Sequence, residues 1–273
     1  MSEFIQSNLD NMSIKTLQLT GILILIPFFG GVMLQETQAQ PNKEELLEQA
    51  SEYFSQSQES EALKAYLDVL KVDGDNFEAL WHISLLHARI GYRAESKAQM
   101  REYYEESLKY AEEVLQKYPE EGRSHFVYAV ANGRISDISG SKVRIEKSHV
   151  VKRHIDKALE MMPEFGPAWH LLGLWHSKVA NVGSAQKFAA GMFSKGLPKG
   201  ASNAKAAQYI RKAIDLEPSQ TLRFKLDLAQ HYQRAGEDQK AISVLNEVLK
   251  MNAETEIDQW NLERARDLLD DLM

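Results

Sequence analysis

Beyond Pro41 the apolar residues return every three or four positions almost without a break, and no stretch alternates apolar and polar residues for long enough to predict a strand. The pattern is all-α. Glu44–Phe54 and Glu61–Val72 read as two amphipathic helices joined by a polar turn, with Leu46, Ala50 and Tyr53 lining the first and Ala62, Tyr66 and Val69 the second. The same outline returns as Leu80, Ile83, Ser84 and Gly91, followed by Ser107, Ala111, Val114 and Pro119. A third copy has Val127, Val130 and Ala131, then Val151, Ile155, Ala158 and Pro163. The fourth runs through Trp169, Leu172, Gly173, Ala206, Ile210, Ala213 and Pro218, and the fifth through Leu228, Ala229, Tyr232, Gly236, Ala241, Leu245 and Val248. Small residues recur where two helices approach closely, as at Gly173 and Ala229. Gly91 and Gly236 are expected in the tight turns, and the three prolines stand where return helices stop.

These offsets resemble the tetratricopeptide pattern, a helical hairpin of about 34 residues. The expected fold is a tetratricopeptide-repeat-like right-handed superhelix of about five hairpins over residues 40–273. A C-terminal helix over Ile257–Leu272 caps it, with a stripe of Trp260, Leu262, Leu268 and Leu269. A hairpin of this size cannot bury its own face, so stacking closes the core and leaves a concave groove. Three repeats are long. The second carries about 11 extra residues before Ser107, predicted to extend its return helix by about three turns, and the third about eight around Ser136–Ser141. The fourth holds an insert at 180–200, where Ala185, Phe188, Ala189, Met192 and Phe193 have the spacing of an apolar helix face. Phe188, Met192 and Phe193 are the candidate lid over the groove.

The insert and its flanks point to a narrower family. Trp169, Leu172, Gly173, Trp175, Val179, Ala180, Ala190, Phe193, Leu197, Pro198, Ala201, Ser202, Ala206, Lys212, Ala213 and Leu216 fall in an order that resembles the regulator of microtubule dynamics family, from about Ser107 to the C-terminus. The family's eukaryotic members are associated with microtubules and with membranes, which the resemblance implies here as ancestry.

The N-terminus bears on compartment. Lys15 precedes an apolar segment at 17–34, broken by Pro27, and Thr37, Gln38 and Ala39 follow. A positive start, an apolar stretch and small residues before a cut describe a signal peptide over residues 1–39, cleaved after Ala39. That reading makes the chain a secreted bacterial relative, periplasmic or in the cell envelope. The alternative is a retained membrane anchor at 17–34, since about 18 apolar residues just span a bilayer core; a membrane-anchored, microtubule-associated regulator then becomes the matching role.

Charge and candidate chemistry refine this picture. The net charge of -7 argues against a nucleic-acid partner, which needs a broad basic surface. It conceals a split, because residues 142–212 carry +9 and the remainder -16. The basic middle is a candidate for an anionic membrane surface or an acidic partner. With no cysteine there are no disulfides, thiolate metal sites or cysteine nucleophiles. The histidine pairs His82/His87, His149/His154 and His170/His176 are five or six residues apart. That turns the paired rings about 120–140° from each other on a helix, unsuited to sharing a metal. Asp73, Gly74, Asp75 and Asn76 read as a turn rather than a calcium loop. No phosphate-cradling glycine loop or nucleophile elbow is present. No enzyme, cofactor or metal is expected.

Binding is the expected function. Placing the first helix of each hairpin on the groove aims Phe54, Trp81, Arg89, Tyr128, Asn132, His170, Leu174, Lys178, Gln230 and Arg234 inward. Such a surface suits an extended peptide or protein partner, with Arg89, Lys178 and Arg234 pairing carboxylates and Asn132 bonding the peptide backbone. The alternative is a carrier for an apolar ligand such as a lipid, held beneath the insert helix. The leader carries its own test. N-terminal sequencing of the protein recovered from cells is expected to read Gln40 first, and an intact leader would restore the anchored alternative.

Overall fold

Short polar side chains and prolines mark where the helices of this chain begin and end. A computed structural model describes residues 42–183 and 196–273, and among these there is no strand. The helices are α1 (Lys43–Ser55), α2 (Glu59–Val72), α3 (Phe77–Tyr92), α4 (Lys97–Lys117), α5 (Gly122–Asp137), α6 (Ser141–Met161) and α7 (Gly166–Ala180). They continue as α8 (Asn203–Leu216), α9 (Thr221–Arg234), α10 (Asp238–Val248) and α11 (Glu256–Asp270), with a 3-10 turn at Pro218–Gln220. Asn42 and Thr255 open α1 and α11 with reciprocal capping boxes to Glu45 and Asp258. Asn76, Ser96 and Ser202 accept from backbone N–H groups at the starts of α3, α4 and α8. The helices α4, α6 and α8 end at Lys117, Met161 and Leu216, one residue short of the position before Pro119, Pro163 and Pro218. Proline pushes the residue before it out of the helical region, so these stops are fixed locally.

Consecutive helices pair as α1/α2, α3/α4, α5/α6, α7/α8 and α9/α10, giving five hairpins with α11 against the last. First helices of neighbouring hairpins also touch, α3 on α5 and α7 on α9, which lines up an inner wall. The pairs close at small residues. In α3/α4 the hydroxyls of Ser84 and Ser107 each donate to the other's carbonyl, at 2.9 and 2.8 Å, and both residues are buried. In α7/α8 a Cβ on Gly173 would lie 2.6 Å from Ile210 Cγ1 and 3.0 Å from its backbone nitrogen. Gly236 is in the α9/α10 turn at φ +74°, as expected. Gly91 is not a turn residue. It is buried inside α3, where a Cβ would stand 2.6 Å from Tyr103 Cβ, so it serves close packing.

The extra residues of the second and third repeats are helical. Both α4 and α6 have 21 residues against 14 in α2 and α8, a gain nearer two turns than three. The third repeat's surplus, expected around Ser136–Ser141, lengthens α6 because Ile145, Val151 and Ile155 continue a buried stripe. The leader at 1–39, the alternative anchor at 17–34 and the lid residues Phe188, Met192 and Phe193 lie outside the described residues. Among the described residues no helix is long and apolar enough to cross a membrane.

One contact departs from nearest-neighbour stacking. The ring of Trp260 on α11 meets Tyr92 of α3 edge-on at 5.8 Å between centroids. The Arg264 guanidinium is 4.7 Å from the Trp260 ring and 5.4 Å from Tyr92, whose hydroxyl accepts from Nη2 at 3.4 Å.

The close approach at Gly173 is testable. Gly173→Ala gains about 1 kcal/mol of helix propensity yet is expected to destabilise by about 1–2 kcal/mol net, because the new methyl meets backbone as well as side chain. The midpoint of thermal unfolding followed by circular dichroism should fall by roughly 2–8 °C. Gly140→Ala, at a position with nothing within 4 Å, should leave it unchanged.

Candidate functional site

The first helices of the middle hairpins turn one side inward. On α7 the residues Pro167, His170, Leu171, Leu174, Trp175 and Lys178 recur at three and four positions, and Phe126, Val130, Gly133, Arg134 and Asp137 do the same on α5. With Leu85, Ala88 and Arg89 of α3, Ile145 and Val151 of α6, and Arg223 and Phe224 of α9, they enclose a cleft of about 160 Å³. Val182 and Leu197 also line it. Its walls are mainly aliphatic and aromatic.

Charge is concentrated within those walls. Glu59, buried at the start of α2, pairs with Arg89 at 3.3 Å and with Arg93. The Nε of Arg89 is buried without a hydrogen-bond partner among the described residues. Arg134 sits 4.3 Å from the Tyr92 ring and 3.9 Å from Asp137, whose other oxygen accepts from Lys178 at 2.5 Å. His170 stacks on Phe224 and donates Nε2–H to Asp227 at 2.9 Å. Burial alone would raise the Asp227 carboxyl. The His170 bond and the charges of Arg223 and Arg134 hold it below its ordinary value instead. Arg223 makes no ion pair or hydrogen bond with any described residue; burial, with the charges of Arg89 and Arg134, lowers it to about 10.

Four of the ten groove residues expected from the repeat register line this cleft: Arg89, His170, Leu174 and Lys178. The other six are elsewhere. Phe54 and Trp81 pack around the His82 ring, at 4.7 and 3.5 Å between centroids. Tyr128 packs on His154 at 4.6 Å. Asn132 is fully buried, donating to the Tyr128 carbonyl at 2.8 Å and accepting from Lys147 at 2.7 Å, so its amide faces the return helix rather than a ligand. Arg234 donates to Ser177 Oγ at 2.7 Å, and Gln230 is half-buried on α9 outside the cleft. On α5 the expected face was two residues out of phase, about 200° of rotation. The run Phe126, Val130, Arg134 was the signal that names the inward face, and the opposite charges of Arg223 and Asp227, four apart, were the signal on α9.

The family model for regulator of microtubule dynamics protein 1-3 matches residues 46–273. The chain belongs to that family. Regulator of microtubule dynamics protein 1 of Bos taurus is 29% identical over 230 residues, covering 83% of this chain and 71% of the relative. Regulator of microtubule dynamics protein 3 of Xenopus laevis is 26% identical over 234 residues, covering 78% of this chain and 50% of the relative. A thermophilic TPR protein of Thermus thermophilus superposes with a TM-score of 0.60 at 15% identity, covering 84% of this chain and 99% of that one. This likeness shows the tetratricopeptide-like solenoid fold, an architecture that offers a concave binding surface.

The histidines of this family member are packing residues. His125 and His154 meet across α5/α6 with their Nδ1 atoms 2.9 Å apart, and the far nitrogen of His125 bonds the Pro119 carbonyl. His231 bonds Ser177 and the Asn203 carbonyl, while His176 accepts from the Ser202 N–H. Among the described residues no group of three or more potential ligands is arranged to hold a metal. Burial lowers His82 to about 3 and His154 and His176 to about 4. It also lowers His87, His125, His170 and His231. In the pH range just below the ordinary histidine value the unfolded chain therefore binds more protons than the fold. Stability is full above about pH 6.5 and declines as pH falls towards 4. The melting midpoint at pH 5 is expected to be roughly 10 °C below that at pH 7. A flat profile across that interval would contradict the neutral, buried state of these rings.

Proposed function

We propose that this chain is a non-enzymatic binding protein whose cleft holds an apolar-chain ligand with an anionic head, in the class of a fatty-acid anion or acidic lipid. The observation that carries this reading is the pairing of aliphatic and aromatic walls with Arg223, a cation in the cleft that lies over the Phe224 ring and makes no ion pair or hydrogen bond with any described residue. A poorly solvated wall strengthens the attraction between that cation and an anion. An extended peptide fits less well. Its main chain brings a donor and an acceptor at every residue, and the amide expected to meet them, Asn132, is already bonded. Of the cations assigned to a peptide, Arg89 and Lys178 have carboxylate partners and Arg234 has a hydroxyl. Regulation of microtubule dynamics is what the relatives' names state of those proteins; for this chain it would act through whatever occupies the cleft. The cell envelope is the location that accompanies this reading, supported by the leader pattern alone.

Mass spectrometry of an organic extract of the purified full chain is expected to find an anionic lipid near one per chain. Arg223→Ala should weaken uptake of a fluorescent fatty acid about tenfold, and Leu174→Trp should abolish it by filling the cleft. Arg234→Ala should leave uptake unchanged. An empty extract together with no uptake would overturn the reading.

A further inference from the structure

A second, shallower depression lies against the cleft and is basic. Lys152, Arg153, Lys157 and Lys199 surround it, with two carboxylates, Asp156 and Glu160. The carboxylates are occupied by Lys152 at 2.5 Å and Lys157 at 3.6 Å. Arg153 and Lys199 are exposed and have no ion pair or hydrogen bond from their side chains to any described residue. Lys205, also exposed, stands in the first turn of α8 and belongs to the same basic stretch, 142–212. The depression and the cleft share a wall, Trp175, which lines both and lies under the Lys152 ammonium at 5.5 Å. They also share a loop, in which Leu197 lines the cleft and the next two residues, Pro198 and Lys199, line the depression.

We propose that this basic depression docks the protein on a negatively charged lipid bilayer, setting the Leu197–Lys199 loop of the cleft against the membrane. Charge complementarity supports that occupant in two ways. Locally, the cations without partners project from α6 and the Leu197–Lys199 loop, beside the cleft. Across the chain, residues 142–212 carry +9 and the rest -16, so an anionic surface attracts the middle and repels both ends. A charge split of this kind orients the protein before contact, because the field of the whole molecule acts over about a Debye length. An acidic protein partner would use the same charges, but nothing in its chemistry accounts for the shared wall and loop, whereas a bilayer is the source and sink of an apolar ligand. The purpose of docking rests on the cleft reading; the docking itself does not.

The test is co-sedimentation of the full chain with vesicles of phosphatidylcholine, with or without 30 mol% phosphatidylserine, a composition of about that anionic content being ample for polybasic binding. The readout is the difference between the two vesicle types, to which the apolar segment at 17–34, identical in every variant, contributes equally. At low ionic strength the partition onto phosphatidylserine vesicles is expected to be at least about tenfold higher, and the increment should vanish in about 0.5 M salt. The triple variant R153E/K199E/K205E should lose the increment while keeping its thermal midpoint and its fatty-acid uptake. The variant K64E/K250E, reversed outside the basic middle, should retain at least half of it. Equal binding to both vesicle types, or an increment that survives the triple reversal, overturns the proposal and leaves an acidic protein as the partner to seek. A chain that docks but yields an empty extract overturns the cleft reading alone.

Discussion

The structure depends on how closely two helices of a hairpin can approach. Where Gly173 faces Ile210, and where Ser84 and Ser107 exchange hydroxyl-to-carbonyl bonds, the axes come near enough for backbone to touch side chain directly. A serine at such a point needs its hydroxyl satisfied, since an unpaired buried donor costs about 1–3 kcal/mol, and the reciprocal bond satisfies both at once. Close pairing in each hairpin leaves one side of each first helix to meet the next repeat. That shared side becomes the inner wall, so the cleft is a by-product of hairpin geometry.

Within that wall the chain accepts a cost in charge. Arg89 and Arg93 share a single buried carboxylate, Glu59, and Arg223 is near enough to Arg89 and Arg134 to feel both. Like charges gathered in poorly solvated surroundings oppose folding, and stability alone would select against them. An anion bound in the cleft, as proposed, would offset that cost. His170 and Asp227 show the contrasting solution, a stacked and hydrogen-bonded pair with each partner's demand met inside the fold.

Most of the architecture was legible in the sequence because it is local. Helix stops at Pro119, Pro163 and Pro218 and small residues at Gly173 and Ala229 act over a few positions, and the expected family follows from residues in the same stretch. Azimuth was not legible in the same way. A helix buried on several sides, such as α5, carries apolar residues nearly all round, so Tyr128 and Asn132 looked as inward as Phe126 and Val130. The same ambiguity hid the role of Gly91, since a glycine near a helix end suits a turn and a tight contact equally. Charge partners more than 20 residues apart, such as Glu59 with Arg89 and Asp137 with Lys178, leave no periodic trace at all.

Stacked repeats ordinarily behave as a one-dimensional array, in which each unit is stabilised by its neighbours and the ends fray first. The contact of Trp260 and Arg264 with Tyr92 links the final helix to the second hairpin, 172 residues apart in the Arg264–Tyr92 bond. It adds a long-range tie to an otherwise linear array. Local opening at the C-terminal end then has to break a contact with the second hairpin as well, so the final helix is tied to the stability of the interior rather than to its neighbour alone.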